Sequence, residues 1–306
     1  MFLWGALLAA LFFSAACGGA AGGGSGGAGP GETRVVEDAR GRVTVPADPR
    51  RVVVLDRFPL DSALAVGVRP VGVPDPSNLP GYLAGRVGEA QKIGDEYAPS
   101  LERIAALEPD LIVGSVYSAE GNYGKLKEIA PTVLVDDGDS GRWKEIHAGV
   151  ATALGRERAG ERVMSGYRGR TEEFRRKVQE DDRPEVSVVR PREDGVRLYG
   201  KTYFSGVVLE DAGLPRPPAQ DVEEREPLDL SREFVRRADG DVIFVWSYDP
   251  AEREELEKIE ADPLWNRLDA VGEGRVYEVG DHWYGGGPLA ADAVLDDLFE
   301  HLTGGA

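Results

Sequence analysis

The chain is poor in the residue types that build metal centres and disulfides. Cys17 is the only cysteine among 306 residues, which excludes an intrachain disulfide and a cysteine-based metal cluster. Three histidines, His147, His282 and His301, are scattered without the spacing of a metal-ligating set. Basic residues are outnumbered, 36 Lys and Arg against 54 Asp and Glu, for a formal net charge of -18. That field repels phosphate over most of the surface and no basic run opposes it, so nucleic acid is excluded as a partner. Gly22, Gly24 and Gly27 have no strand before them and no helix after them, which rules out a phosphate-binding loop. Asp136, Asp137 and Asp139 lack the glycine and terminal glutamate of a calcium loop. No glycine-flanked serine with a histidine partner stands out, and no pair of carboxylates can be placed. The sequence offers no catalytic constellation and no cofactor site, so a binding protein is expected rather than an enzyme.

Long apolar runs are missing too. Residues 2–13 form a compact apolar stretch, too short for a comfortable membrane span, followed by Ser14, Ala15, Ala16 and Cys17. Small residues before a lone cysteine resemble the lipobox of a bacterial lipoprotein signal. The likeness implies a signal segment over residues 1–17, a lipid on Cys17 and an extracytoplasmic, membrane-anchored protein. No Lys or Arg precedes the run, and Ser14 stands where the usual lipobox has an aliphatic residue. A conventional signal peptide, or a buried N-terminal segment with an inert cysteine, remains the alternative. Residues 18–33 are nearly all Gly, Ala and Ser at first, a tether unable to bury a core.

What is present beyond the tether is patterned. Residues 34–45 alternate around Ala39, Arg40 and Gly41, as a hairpin does. Runs at 51–56, 69–73, 110–115 and 132–137 predict buried strands, interleaved with helices at 59–66, 99–107 and 123–129 and a loop at 74–88. Residues 34–154 are therefore an α/β lobe with a parallel sheet. In residues 155–182, Ala159, Val163, Tyr167, Thr171, Phe174 and Val178 recur at spacings of three and four, which predicts one long amphipathic helix of about 35–40 Å. Residues 183–306 repeat the first pattern. Strands are expected at 186–191, 196–200, 241–246 and 275–279, with helices at 206–212, 231–238, 252–259 and 289–302 and a proline-rich loop at 215–227. Ser100, Glu102, Ile104, Asp110 and Tyr117 align at constant offset with Ser231, Glu233, Val235, Asp241 and Tyr248. The expected fold class is α/β, with two parallel-sheet lobes joined by one long rigid helix.

Open parallel sheets bind ligands beyond the carboxyl ends of their strands, and two such lobes make a cleft. Strand ends and the loops after them offer Arg57, Phe58, Ser115, Tyr117, Asp136, Asp137 and Trp143 from the first lobe. From the second come Arg190, Arg192, Trp246, Tyr248, His282, Trp283 and Tyr284. Arginines among aromatics suit a bulky anion held by stacking and charge-assisted hydrogen bonds. For each aromatic taken singly, core packing is the competing reading.

The strings PSLERIAALEPDLIVGS and RVVVLDRFPLDSALAVGVRPVGV, followed by VSVVRPREDGVRLYG, VLEDAGLPRP and GGGPLAADAVLDDL, resemble the substrate-binding lipoproteins of iron-siderophore and cobalamin ABC importers. The resemblance implies two lobes on a rigid helix, with a ligand in the cleft and an ABC permease with its ATPase as partners. It also implies that Glu102 and Glu233, one per lobe, dock into arginines of the permease. Arg57, Tyr117, Arg190, Arg192, Trp246, Tyr248, Trp283 and Tyr284 are the expected ligand-binding residues by their placement at strand ends. Cleft arginines favour an anionic ferric siderophore as ligand over neutral cobalamin. Haem or cobalamin binding, or a surface or sensor role on the same fold, are the alternatives. A monomer is expected.

Overall fold

The structure, a computed structural model, describes residues 31–178 and 183–304. Cys17, the expected signal segment, most of the tether and residues 179–182 of the expected helix lie outside these. An antiparallel hairpin of β1 (Thr33–Asp38) and β2 (Gly41–Pro46) opens the globular part. Its turn uses Gly41 at φ +125°, a conformation that disfavours any side chain. The hairpin is pinned to the first lobe where Ala39 N donates to Leu134 O and Leu134 N donates to Asp38 Oδ2.

The first lobe then runs β3 (Val52–Val54), α1 (Arg57–Ala65), β4 (Gly72–Val73), α2 (Gly81–Ala84), β5 (Gln91–Lys92), β6 (Gly94–Asp95), β7 (Ala98–Pro99), α3 (Leu101–Ala106), β8 (Leu111–Ser115), α4 (Tyr123–Ile129), β9 (Thr132–Val135) and α5 (Trp143–Ala153). Its sheet has the order β5-β4-β3-β8-β9, and all four pairings are parallel. Strands β3, β8 and β9 are buried along their whole length, because helices cover both faces. The short β6–β7 hairpin stands apart from that sheet.

Next comes α6 (Glu157–Lys177), whose 21 residues span about 32 Å. It is shorter than the sequence pattern suggests, since Val178 already turns to extended backbone. Its apolar stripe serves both lobes. Ala159 packs against the first lobe's core, whereas Tyr167, Phe174 and Val178 belong to the second lobe's. Polar ties reinforce the second contact: Tyr167 donates to Asp211 Oδ2 at 2.7 Å, and Arg170 reaches Asp292 and Asp296.

The second lobe contains β10 (Val186–Arg192), β11 (Gly195–Leu198), α7 (Phe204–Asp211), β12 (Leu228–Ser231), a 3₁₀ segment (Arg232–Ala238), β13 (Val242–Trp246), α8 (Pro250–Glu260), α9 (Asp269–Gly272), β14 (Val276–Val279) and α10 (Pro288–Leu302). Its sheet order is β12-β11-β10-β13-β14. Only β10, β13 and β14 are parallel; β11 and β12 run antiparallel to their neighbours. The all-parallel expectation therefore holds in the first lobe and is corrected in the second. The turn Glu193-Asp194-Gly195 is too short for a crossover, so it folds β11 straight back on β10.

The repeat seen in the sequence has a structural counterpart. Asp110 accepts from the backbone of Arg50 and Arg51 at the start of β3, and Asp241 accepts from Glu185 N at the start of β10. In each lobe the aspartate before the second core strand fixes the entry of the first.

The lobes also meet directly. Asp61 of α1 accepts from Leu289 N (2.9 Å) and Ala290 N (3.0 Å), capping α10 of the other lobe. Gly286 and Gly287 allow this approach, because a Cβ there would fall 1.8 Å from the Phe58 ring and 2.4 Å from the Asp61 carboxyl. Burial pushes Asp61 up to about 7, against the Leu289 and Ala290 N–H groups and the Tyr82 hydroxyl, which hold it down. The folded carboxyl thus holds its proton more tightly than the unfolded one. Its contribution to stability is full below about pH 4 and is lost as pH rises through about 7. The urea stability of the wild type minus that of Asp61→Asn is expected to grow steadily as pH falls from 7 to 4. A difference that grows with rising pH contradicts this.

Candidate functional site

The carboxyl ends of β3, β8 and β9 face loops of the second lobe across a cleft of about 330 Å³. The first lobe contributes Arg57, Glu96, Tyr97 and Tyr117, and the second contributes Tyr203, Arg225 and Tyr284. Other cavities of 370–400 Å³ exist among the described residues, each confined to one lobe. Convergence of both lobes on strand ends, not volume, selects this one.

Arg57 sits in the first turn of α1, whose N-cap Asp56 also accepts from Ser115 N at 2.7 Å and Ser118 Oγ at 2.6 Å. Burial pushes Asp56 up to about 6, against those two donors. This network locks β3, α1 and the β8 end into one floor. The Arg57 guanidinium is buried, 2.5 Å from Glu96 Oε1 and 3.1 Å from the Tyr97 hydroxyl. Burial works against its charge, but Glu96, Tyr248 and Tyr97 more than offset this and hold its pKa above the usual arginine value.

From the second lobe, Arg190 lies 4.7 Å from the Trp246 ring centre and 5.5 Å from that of Tyr248. Tyr248 is also 5.8 Å from the Arg57 guanidinium. One phenol ring therefore lies near two guanidinium groups, one from each lobe. Arg190 makes a bidentate pair with Glu252, which also takes Arg192 at 3.2 Å and the Tyr248 N–H at 2.8 Å. Burial again opposes the Arg190 charge, and Glu252 and Tyr199 raise its pKa beyond that opposition. Tyr97 and Tyr117, each 59% exposed, meet edge to face at 5.4 Å on the rim. Arg225 bridges to Asp139 of the other lobe at 3.3 Å.

Of the residues expected from sequence, Arg57, Tyr117 and Tyr284 line the cleft, and Arg190 and Tyr248 adjoin it. Arg192 is half-exposed on the Glu252 pair. Trp246 and Trp283 are corrections, each being only 1% exposed. Trp246 stacks on Tyr284 at 5.1 Å and supports Arg190 from behind. Trp283 stacks on Phe244 at 4.5 Å and donates to Asp297, inside the second lobe's core. Trp143 is likewise core, edge-on to Tyr167 and Phe204 between the lobes. Sequence reasoning missed Glu96, Tyr97, Tyr203 and Arg225. The only signal for them was position, in a two-residue hairpin turn, in the loop between β11 and α7 and in the loop before β12.

Glu102 and Glu233 are both exposed. Ser100 Oγ caps α3 by accepting from Arg103 N, as expected. Ser231 makes no such bond, because residues 232–238 wind as a 3₁₀ segment instead of an α-helix. Among the described residues no group of three or more His, Cys, Asp or Glu is placed to hold a metal ion, and no helix is long and apolar enough to cross a membrane.

The family profile described as periplasmic binding protein matches residues 52–282. The probable siderophore-binding lipoprotein YfiY of Bacillus subtilis is 31% identical, the match covering 95% of this chain and 94% of that protein. The achromobactin-binding periplasmic protein of Dickeya dadantii is 32% identical over 82% of this chain and 85% of its own. Among solved structures, Staphylococcus aureus SirA complexed with staphyloferrin B superposes with a TM-score of 0.77 at 29% identity, covering 88% of this chain and 98% of that one. The two lobes, the bracing helix, the interlobe cleft and these likenesses agree: the chain belongs to the periplasmic binding protein family.

Proposed function

We propose that the protein captures an anionic ferric siderophore in the interlobe cleft and presents it to an ABC permease. The observation that carries this reading is the pair Arg57 and Arg190, brought from different lobes to 5.8 and 5.5 Å from the Tyr248 ring centre. Guanidinium forks match carboxylates in shape and charge, and a ligand bridging both would hold the lobes together. The names of the relatives support the ligand class, including a ferric-citrate-binding protein at 27% identity. Iron is cargo here, coordinated by the siderophore. Lipidation at Cys17 would tether the protein at the outer face of the membrane, with Glu102 and Glu233 left free to meet the permease as a monomer.

Trp246, stacked on Tyr284 and covered by Arg190, is a built-in reporter of the cleft. Tryptophan emission of the soluble protein beginning after Cys17 should be quenched, saturably and at submicromolar concentration, by an anionic ferric complex. The panel includes ferric citrate, a ferric tricatecholate, ferrichrome, the iron-free forms, haem and cobalamin. Quenching by haem or cobalamin alone overturns the ferric ligand, and silence toward all of them overturns the binding role.

A further inference from the structure

Arg57 and Arg190 are already neutralised by the protein itself, but by carboxylates of different kinds. Glu252 is held by three groups at once, the Arg190 fork, Arg192 and the Tyr248 N–H, and sits in the first turn of α8. It is part of the scaffold. Glu96 is held at its carboxylate by Arg57, with the neighbouring Tyr97 hydroxyl beside it. It sits on the two-residue turn of the β6–β7 hairpin, whose next residue, Tyr97, is largely exposed. The base of that hairpin is fixed, with Asp75 N donating to Gly94 O, Asn78 Nδ2 to Asp95 Oδ2, and Lys92 paired with Asp75. The tip lies at the exposed rim, where Tyr97 N donates to Asp95 Oδ1 and the Tyr97 ring meets Tyr117, so a glutamate leaving Arg57 there passes into water with no loss of hydration.

We propose that Glu96 is an internal counter-anion that competes with the ligand for Arg57 and so sets how tightly the cleft holds anionic complexes. The inference rests on the proposed ligand class. A buried guanidinium cannot be left bare without a large cost, so the pair opens only for a replacement carboxylate or an equivalent anion. A neutral complex brings none and binds, if at all, with the Arg57–Glu96 pair intact. Glu96 thereby lowers the affinity for every anionic ligand and leaves that for uncharged ones of similar shape unchanged, so only an anion strong enough to displace it engages Arg57.

The test measures dissociation constants of ferric citrate, a ferric tricatecholate and ferrichrome for the wild type, Glu96→Gln and Asp137→Asn. Glu96→Gln keeps the shape and removes the charge. It should tighten the anionic complexes about tenfold, equivalent to about 1.4 kcal/mol, and change ferrichrome less than about twofold. Asp137 also lines the cleft but is not ion-paired to Arg57. Asp137→Asn removes the same unit of charge and should give no more than about a threefold gain, the effect of one distant charge through water. Equal gains from both variants would show a general field and overturn competition. An unchanged or weakened anionic affinity in Glu96→Gln, with the wild type binding normally, overturns the inference and leaves the proposed function standing. A wild type that binds none of the three overturns both. If Glu96→Gln does not fold, Glu96→Asp, one methylene shorter with its charge kept, should give an intermediate gain, and no gain overturns the competition.

Discussion

Arg57→Ala is expected to weaken binding of an anionic ferric complex by roughly 100-fold, the scale for removing one partner of a desolvated, charge-assisted contact. Two effects add in that variant. The ligand loses a fork, and Glu96 is left with no guanidinium and repels the incoming anion. Arg57→Lys restores a point charge without the planar fork and should recover only part of the loss, about tenfold short of the wild type. Thermal denaturation separates this from misfolding, because Asp56, which caps α1 and ties it to β8, is untouched. Fluorescence titration reads the affinity. A change of less than about twofold in Arg57→Ala would mean the ligand does not engage this residue.

The second large effect concerns delivery. Glu102→Ala with Glu233→Ala is expected to leave the dissociation constant of the ferric complex within about twofold and to cut cellular iron uptake tenfold or more, since exposed charges of this kind act on partner encounter. Both side chains are exposed, in the first turns of the short segments that precede core strands β8 and β13. Cells whose own copy is replaced by the double variant provide the assay, with radiolabelled iron supplied as the complex that binds best. Unimpaired uptake would assign both glutamates to helix-end stabilisation, where an acidic residue in the first turn is favourable in its own right.

Local periodicity made most of the frame legible. The β-branched runs of β3, β8 and β13 are strands because only a sheet covered on both faces buries consecutive apolar residues. The serine and aspartate positions shared by the lobes mark the same helix-to-strand joint twice. Helix α5 was missed, since its stripe of Trp143, Ile146 and Val150 follows an acidic, glycine-containing turn that reads as loop. The aromatics misled for a related reason. Trp246 ends a strand buried on both faces, so the position at the strand's mouth is still core. Trp283 and Tyr284 share a 3₁₀ turn on which successive side chains point in different directions, so only Tyr284 reaches the cleft. The pairs that define the site, Arg57 with Glu96 and Asp139 with Arg225, join distant stretches of chain. No pattern in a single sequence links such residues, because their contact is created by tertiary packing, within the first lobe for Arg57 and Glu96 and between the lobes for Asp139 and Arg225.

The central claim is that ferric cargo sits between the two arginines, held through its siderophore. The most direct measurement is anomalous diffraction at the iron edge from crystals grown with the tightest-binding ferric complex. The account predicts one iron peak in the interlobe cleft, with siderophore atoms as its ligands and with Arg57 and Arg190 on anionic groups of the complex. An iron peak outside the cleft, or iron ligated directly by Asp137 and Asp139, would contradict it.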